Sequence, residues 1–191
     1  MSKTVWRGST LLSPVPPALV VCGTNESPNV FTVAWTGIIN SQPPKTYISV
    51  RPERYSYELI EKTGEFTINL PTRNLVRAVD FCGVRSGREM NKFEKCGITP
   101  IPASQVGAPI IEEAPISLEC RVFDRVRYGT HDMFLADIVA VDADDAYIDK
   151  SGKLDLSKAE LIAYAHGEYY VLGERLGKFG YSVRRRKNAR K

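Results

Sequence analysis

The sequence has few of the residues that build metal centres or disulfide frameworks. It contains four cysteines and two histidines among 191 residues, and no two cysteines form a C-x-x-C pair. This spacing argues against a structural zinc site and against an iron–sulfur cluster. Because the chain is long enough to bury a full core without covalent links, we expect buried free thiols rather than a disulfide framework.

Long apolar runs are lacking as well. The longest one near the start, residues 18–22, follows Pro14, Pro16 and Pro17. It is too short for a signal-peptide core or for a transmembrane helix. We therefore expect a cytoplasmic protein without a membrane segment, with one domain over residues 1–183.

Positive charge is concentrated at the C-terminus. The formal net charge is +4, but residues 184–191 carry six basic groups, which leaves 20 basic against 22 acidic groups in residues 1–183. The body of the protein is therefore not basic, and we expect no nucleic-acid binding. A basic tail of this kind is typical of a solvated chain end; the alternative is a weak contact with an acidic surface or a partner subunit.

Common catalytic and nucleotide-binding patterns are absent from the sequence. It has no G-x-G-x-x-G, no P-loop, no alternation of strands and helices, and no serine–histidine–acid or paired-carboxylate constellation. Chemistry performed by a bound cofactor requires none of these patterns, so their absence does not exclude a cofactor-dependent enzyme.

Strand-type segments dominate the chain. They are predicted at residues 19–23, 30–35, 45–50, 65–70, 116–122, 130–142 and 161–165. Helices are predicted at residues 55–62, with Pro52 in the first turn, and from a Thr72 cap to about residue 83. The intervening loops include residues 24–29, 40–44 and 86–97, the last with one short helix. A closed or nearly closed antiparallel barrel fits this pattern best.

The segment from Ser49 to Ser56 is suited to hold a phosphate. A strand ends at Val50 and a helix follows, so free backbone N–H groups and the positive end of the helix dipole come together. Arg51, Arg54 and the two serines add charge and hydroxyl groups. The alternative is an ordinary solvated helix start with an internal ion pair.

Several motifs in sequence order resemble one known family. They comprise residues 29–37, Pro43-Pro44, residues 49–56 and 64–71, and near the end residues 164–167, 169–173 and 176–182. The chain is thereby identified as a member of the flavin reductase-like, FMN-binding split-barrel family, most similar to its flavoredoxin branch. The resemblance implies a mainly β fold with short helices, an antiparallel Greek-key split β-barrel, and a homodimer with FMN near the subunit interface.

The resemblance also implies which residues contact FMN. The residues along the isoalloxazine ring would be Thr32, Ala34, Trp35 and Thr36. The residues at the ribityl chain and phosphate would be Ser49, Val50, Arg51, Tyr55 and Ser56. Lys92 is a further candidate for a phosphate contact. Asn69 and the turn Phe81-Cys82-Gly83 would close the ring pocket. Two alternatives stay open: Trp35 as a plain core residue, and Cys82 as a packing residue rather than a redox centre, since no other cysteine is near it in sequence.

Two roles follow from the resemblance. The first is an NAD(P)H-dependent reductase of flavin or a small acceptor, and the second is a flavoredoxin-like carrier that passes electrons to a protein partner. A third alternative keeps the barrel but gives it heme or another flavin-like ligand. His166 would either approach the flavin from the partner subunit or be a surface histidine.

Overall fold

A single antiparallel sheet of seven strands forms the frame of the protein. The computed structural model describes residues 1–183, and the predicted basic tail at residues 184–191 lies outside them. Two further sheets have two strands each. The strands of the three sheets are β1 (Ala18–Gly23), β2 (Pro28–Val33), β3 (Thr36–Ser41), β4 (Pro44–Val50), β5 (Glu65–Asn69), β6 (Pro100–Ile101), β7 (Ile110–Ile111), β8 (Ile116–Arg127), β9 (Asp132–Ala143), β10 (Ile162–Ala165) and β11 (Glu168–Val171). The two-stranded sheets are β6-β7 and β10-β11. The helices are α1 (Tyr55–Thr63), α2 (Val76–Val84) and α3 (Lys92–Cys96).

The strand order of the large sheet is β2-β1-β5-β8-β9-β4-β3, so β2 and β3 are its two edges. Only Ala34 and Trp35 separate these edge strands in the chain. The sheet therefore curls round until its edges approach, and the Ser49 N–H donates to the Trp35 carbonyl oxygen at 2.9 Å. Because β2 and β3 do not pair with each other, the barrel stays split. The predicted antiparallel Greek-key split barrel is confirmed.

The apolar core has two parts, one on each face of β1. Ala18, Val20 and Cys22 point into the barrel, where α1 also packs, while Leu19 and Val21 point towards α2 and α3. Successive side chains of a strand alternate between faces. Burial on both faces explains why residues 18–22 are apolar without interruption.

Two predicted segments were wrong in their bounds, namely the strand at residues 30–35 and the loop at residues 40–44. β2 ends at Val33, the chain bends at Ala34-Trp35, and a further strand, β3, runs to Ser41. Residues 38–41 are exposed, and the pairing of β3 with β4 shifts register between Ile38 and Asn40. A bulged, exposed edge strand has no regular alternation of apolar residues, so the sequence pattern did not reveal it.

Helix bounds differ from the prediction at two places. Pro52 precedes α1, which begins at Tyr55 after the N-cap residue Arg54. Residues Phe81 to Gly83 are not a turn, because α2 continues to Val84. β11 is an additional strand that pairs with β10, the predicted last strand.

Two further findings bear on function. Among residues 1–183, no helix is both long enough and apolar enough to cross a membrane. Within the same residues, no three acidic, histidine or cysteine side chains are grouped so that they could hold a metal ion.

Candidate functional site

A cleft lies where β2 ends and the chain turns into β3. It consists of two hollows, one of about 650 Å³ and one of about 140 Å³. Thr32, Ala34 and Trp35 line both of them. The hollows are therefore two ends of one cleft that meet along these residues, and the larger end has the volume of a typical small-molecule site.

The larger hollow has one wall made by β2 and α2. The Thr32 hydroxyl donates to the Val79 carbonyl oxygen of α2, which joins the strand to the helix. Gly83 lies beside Thr32, and a Cβ atom there would lie 3.4 Å from the Thr32 Cβ, an ordinary van der Waals contact. The hydrogen bond fixes α2 against β2 on this side of the cleft.

The opposite wall comes from the two ends of the described chain. It is formed by residues 10–13 of the N-terminal segment and by Tyr164, His166 and Tyr169 of the β10–β11 hairpin. Val15 and Tyr164 exchange two backbone hydrogen bonds of 2.9 Å, which join the N-terminal segment to the hairpin. His166 therefore lies on the wall of the cleft within its own chain, in a backbone conformation with φ +50°.

The smaller hollow is cationic. Ser49, Val50, Arg51 and Arg54 line it, and His131 closes it with its ring centroid 4.6 Å from that of Trp35. Partial burial lowers the pKa of His131, and the positive charge of Arg51 lowers it further. The neutral imidazole is thereby favoured, so the positive charge of this hollow comes from the two arginines.

The start of α1 points to the same end of the cleft. Its N-cap residue, Arg54, has extended backbone angles, and no side-chain hydrogen bond caps the helix. Amide groups of a first helical turn have no partner within the helix, and together with the helix dipole they attract an anion. Of the predicted phosphate site, the structure brings Ser49, Val50, Arg51 and Arg54 together in one hollow.

Three predicted phosphate residues, Tyr55, Ser56 and Lys92, do not line the cleft. Tyr55 and Lys92 line a separate hollow of about 290 Å³. Ser56 is buried, and its hydroxyl oxygen accepts a hydrogen bond of 2.7 Å from the Asn29 side chain. Lys92 is 3% exposed and donates to the carbonyl oxygens of Cys82 and Arg85. Burial lowers the pKa of this lysine.

Two predicted ring-pocket residues serve the fold instead. The Asn69 side chain donates to the Leu19 carbonyl and Thr67 hydroxyl oxygens and accepts from the Ile111 N–H and Ser117 hydroxyl. Its amide is fully used and lies outside the cleft. The Thr36 hydroxyl likewise donates to the Tyr47 carbonyl oxygen at 2.6 Å.

Of the predicted segment Phe81 to Gly83, only Gly83 reaches the cleft. Phe81 is half-buried, and Cys82 is fully buried in the core between the sheet and α2. Neighbouring residues of a helix point in different directions, so three consecutive positions cannot all face one hollow.

Sequence reasoning missed several residues that the fold brings to the cleft. They are His131, Asp80, Tyr164, Tyr169 and residues 10–13. His131, one of two histidines, lies at the start of the predicted strand 130–142, and Tyr164 and Tyr169 belong to the motifs that resemble the family. The others depend on contacts between distant parts of the chain.

We predict that Gly87→Ala lowers the melting temperature by several degrees. A Cβ atom at residue 87 would lie 1.9 Å from the Asn29 side-chain oxygen and 3.2 Å from the Tyr55 ring. The Asn29–Ser56 hydrogen bond would have to shift, and such overpacking costs about 1–3 kcal/mol. Gly173→Ala is the control, because open space surrounds Gly173; equal melting temperatures for the two variants would contradict the prediction.

Comparison with known proteins agrees with this geometry. Flavoredoxin of Desulfovibrio vulgaris has a TM-score of 0.88 and 33% identity, over 96% of this chain and 100% of that one. A protein of Archaeoglobus fulgidus is 36% identical over 84% of this chain and 89% of its own length. An FMN reductase (NADH) of Methylorubrum extorquens is 25% identical over 70% of this chain and 69% of its own.

The match to a family model covers most of the chain and decides the family. Residues 11–173 match the model described as the flavin reductase like domain. The predicted relation to flavoredoxin, within a family of split barrels, is likewise confirmed. The chain therefore belongs to the flavin reductase-like family, in its flavoredoxin branch.

Proposed function

We propose that the protein is an FMN-binding oxidoreductase that uses NAD(P)H to reduce flavin or another small acceptor. The observation that carries this proposal is that two hollows share Thr32, Ala34 and Trp35, and that the smaller one also has Arg51 and Arg54 at the start of α1. FMN has the matching arrangement, with a flat ring at one end and a phosphate at the other. FMN as the cofactor is also supported by the name of the FMN reductase relative.

The residues shared by the two hollows, here called the slot, fit a flavin ring. Gly83 lies beside Thr32 on one side of the slot, and Trp35, which lines the same hollow, is 42% exposed. Ala34 and Trp35 lie between β2 and β3, outside both strands, where backbone groups can meet the polar edge of a ring. Trp35 is thus assigned to the ring rather than to the core.

The residues at the other end fit a phosphate. Arg51 is exposed beside the uncapped start of α1, and a guanidinium group binds phosphate through paired hydrogen bonds. Ser49 lies beside it in the same hollow. Tyr55 and Ser56 belong to the first turn of α1, and like Lys92 they lie outside this hollow. We assign them to holding the helix start in place rather than to contact with the phosphate.

Bound FMN would supply reversible two-electron redox chemistry, and the protein's task is to bind, orient and enclose it. The larger hollow extends beyond the slot to residues 10–13 and to Tyr164 and Tyr169. This space lies on the open side of the slot and is suited to a nicotinamide or a small acceptor. The extra room favours the reductase over the electron carrier, whereas the 33% identity to flavoredoxin supports the carrier as the second candidate.

Exposed apolar residues beside the cleft support a homodimer. Ile38 and Ile39 of the edge strand β3 are 66% and 48% exposed, next to Trp35. A dimer that covers β3 would place the flavin near the subunit interface. The proposal also locates the protein in the cytoplasm, which agrees with its free cysteines.

Arg51→Ala should weaken FMN binding about 10-fold or more, the size of effect expected when a hydrogen bond to a charged group is lost. The dissociation constant can be measured by the quenching of FMN fluorescence. Arg73→Ala is the matched control, because Arg73 forms a surface ion pair with Glu160 and does not line the cleft. Unchanged affinity in Arg51→Ala would refute the phosphate assignment and favour a different ligand, such as heme.

Anaerobic titration of the FMN-loaded protein with NADH and with NADPH separates the two roles. We expect the flavin absorption band to bleach with one or both nucleotides and to return over repeated cycles when an acceptor is added. Bleaching by dithionite alone would contradict the reductase and support the carrier. Protein that is colourless and takes up no FMN would contradict both roles.

We expect the protein to sediment as a dimer and Ile38→Glu to sediment as a monomer, because a charge on the exposed face of β3 opposes burial of that face. Analytical ultracentrifugation measures both masses. Leu154→Glu is the control, at a 41% exposed residue that forms an isolated β-bridge with Ile148 and is remote from β3 in sequence. A monomeric parent protein would refute the dimer, and a dimeric Ile38→Glu would exclude β3 as the interface.

A further inference from the structure

Two cysteines that are far apart in sequence meet between α2 and α3. The Cys82 and Cys96 Sγ atoms are 3.8 Å apart, although 14 positions separate the two residues. Both are free thiols, as are Cys22 and Cys120. No cysteine is near Cys82 in the sequence, and the fold brings Cys96 to it.

We propose that Cys82 and Cys96 are a thiol pair that hydrogen peroxide oxidises to a disulfide, and that this bond weakens binding at the adjacent flavin site. Hydrogen peroxide is the product that reduced flavins give with dioxygen, so a flavoprotein is exposed to it. The weakening of flavin binding and the flavin as a source of peroxide both rest on the proposed function. The oxidation of the two cysteines to a disulfide does not rest on it.

The different exposure of the two thiols assigns their roles. Cys96 is half-buried and accessible from solvent, whereas Cys82 has no exposed surface. Burial raises the pKa of the Cys82 thiol to about 12, so this thiol keeps its proton at neutral pH. Cys96 therefore reacts with peroxide first, and Cys82 forms the disulfide afterwards.

The two steps balance in atoms and electrons. The Cys96 thiolate attacks one oxygen of hydrogen peroxide, an S–O bond forms as the O–O bond breaks, and the hydroxide released takes up a proton and becomes water. The Cys82 sulfur then attacks the Cys96 sulfenic sulfur; the S–S bond forms, the S–O bond breaks, and the hydroxyl group leaves with the Cys82 proton as a second water. The cysteines lose two electrons, and the peroxide gains two.

The pair is joined through its two helices to the cleft at Gly83 and to the separate hollow that Lys92 lines. Cys82 precedes Gly83, which lies against Thr32 in the slot. Lys92 is four residues before Cys96, on the same face of α3, and donates to the Cys82 and Arg85 carbonyl oxygens. From 3.8 Å the sulfurs must approach by roughly 1.8 Å to bond. This movement displaces Gly83 and Lys92 from their present contacts.

Peptide mass mapping after treatment of the purified protein with hydrogen peroxide tests the bond. We expect a peptide that joins Cys82 to Cys96, removed by dithiothreitol, in the parent protein and in a Cys22→Ala control. In Cys82→Ala, dimedone should label Cys96 as the sulfenic acid. Should that variant fail to fold, Cys96→Ser, at a half-buried position, should leave Cys82 free to be alkylated. Recovery of both cysteines as free thiols in the treated parent would overturn the proposal.

FMN affinity tests the second half of the proposal. The dissociation constant should be several-fold higher for the oxidised than for the dithiothreitol-treated protein, and it should not change with peroxide in Cys96→Ser. Equal affinity of the oxidised and reduced parent would overturn the link to the flavin site. If the reduced protein bound no FMN, the proposed function would fail, while mass mapping would still decide whether the thiol pair exists.

Discussion

The hydrogen bond between the Ser49 N–H and the Trp35 carbonyl oxygen, 2.9 Å long, is the contact on which the cleft depends. β2 and β3 are neighbours in the chain but lie at opposite edges of the pairing order. A connection of two residues can join opposite edges only if the whole sheet curls. The curl places the end of β2 beside the junction of β4 and α1, and the two halves of the cleft exist because of it.

Polar groups near the cleft divide into those already bonded within the protein and those still available. The Asn69 amide and the Thr36 hydroxyl are bonded to other parts of the chain, so they stabilise the fold. Arg51 and Arg54 line a hollow, and no side-chain hydrogen bond caps the start of α1 beside them. A binding site is formed where the fold leaves donors and charge unused, and here both are left at the phosphate end of the cleft.

Local sequence signals predicted the parts of the site that are continuous in the chain. The junction from Ser49 to Ser56 combines a strand end, arginines and a helix start within eight residues, and the structure keeps most of it together. The exposed, bulged strand β3 had no periodic signal. The partners of Asn69 and Cys82 could not be predicted, because they lie up to 50 residues away and become neighbours only through the packing of the sheet and helices.

The contact between Val15 and Tyr164 has a consequence for how the protein is made. It pairs a residue near the start of the chain with one near the end, and the larger hollow has its second wall only once both are in place. During synthesis, every residue from Val15 to Tyr164 must have left the ribosome before this wall can form. A ligand that contacts both walls of the larger hollow would therefore bind only after these two segments have paired.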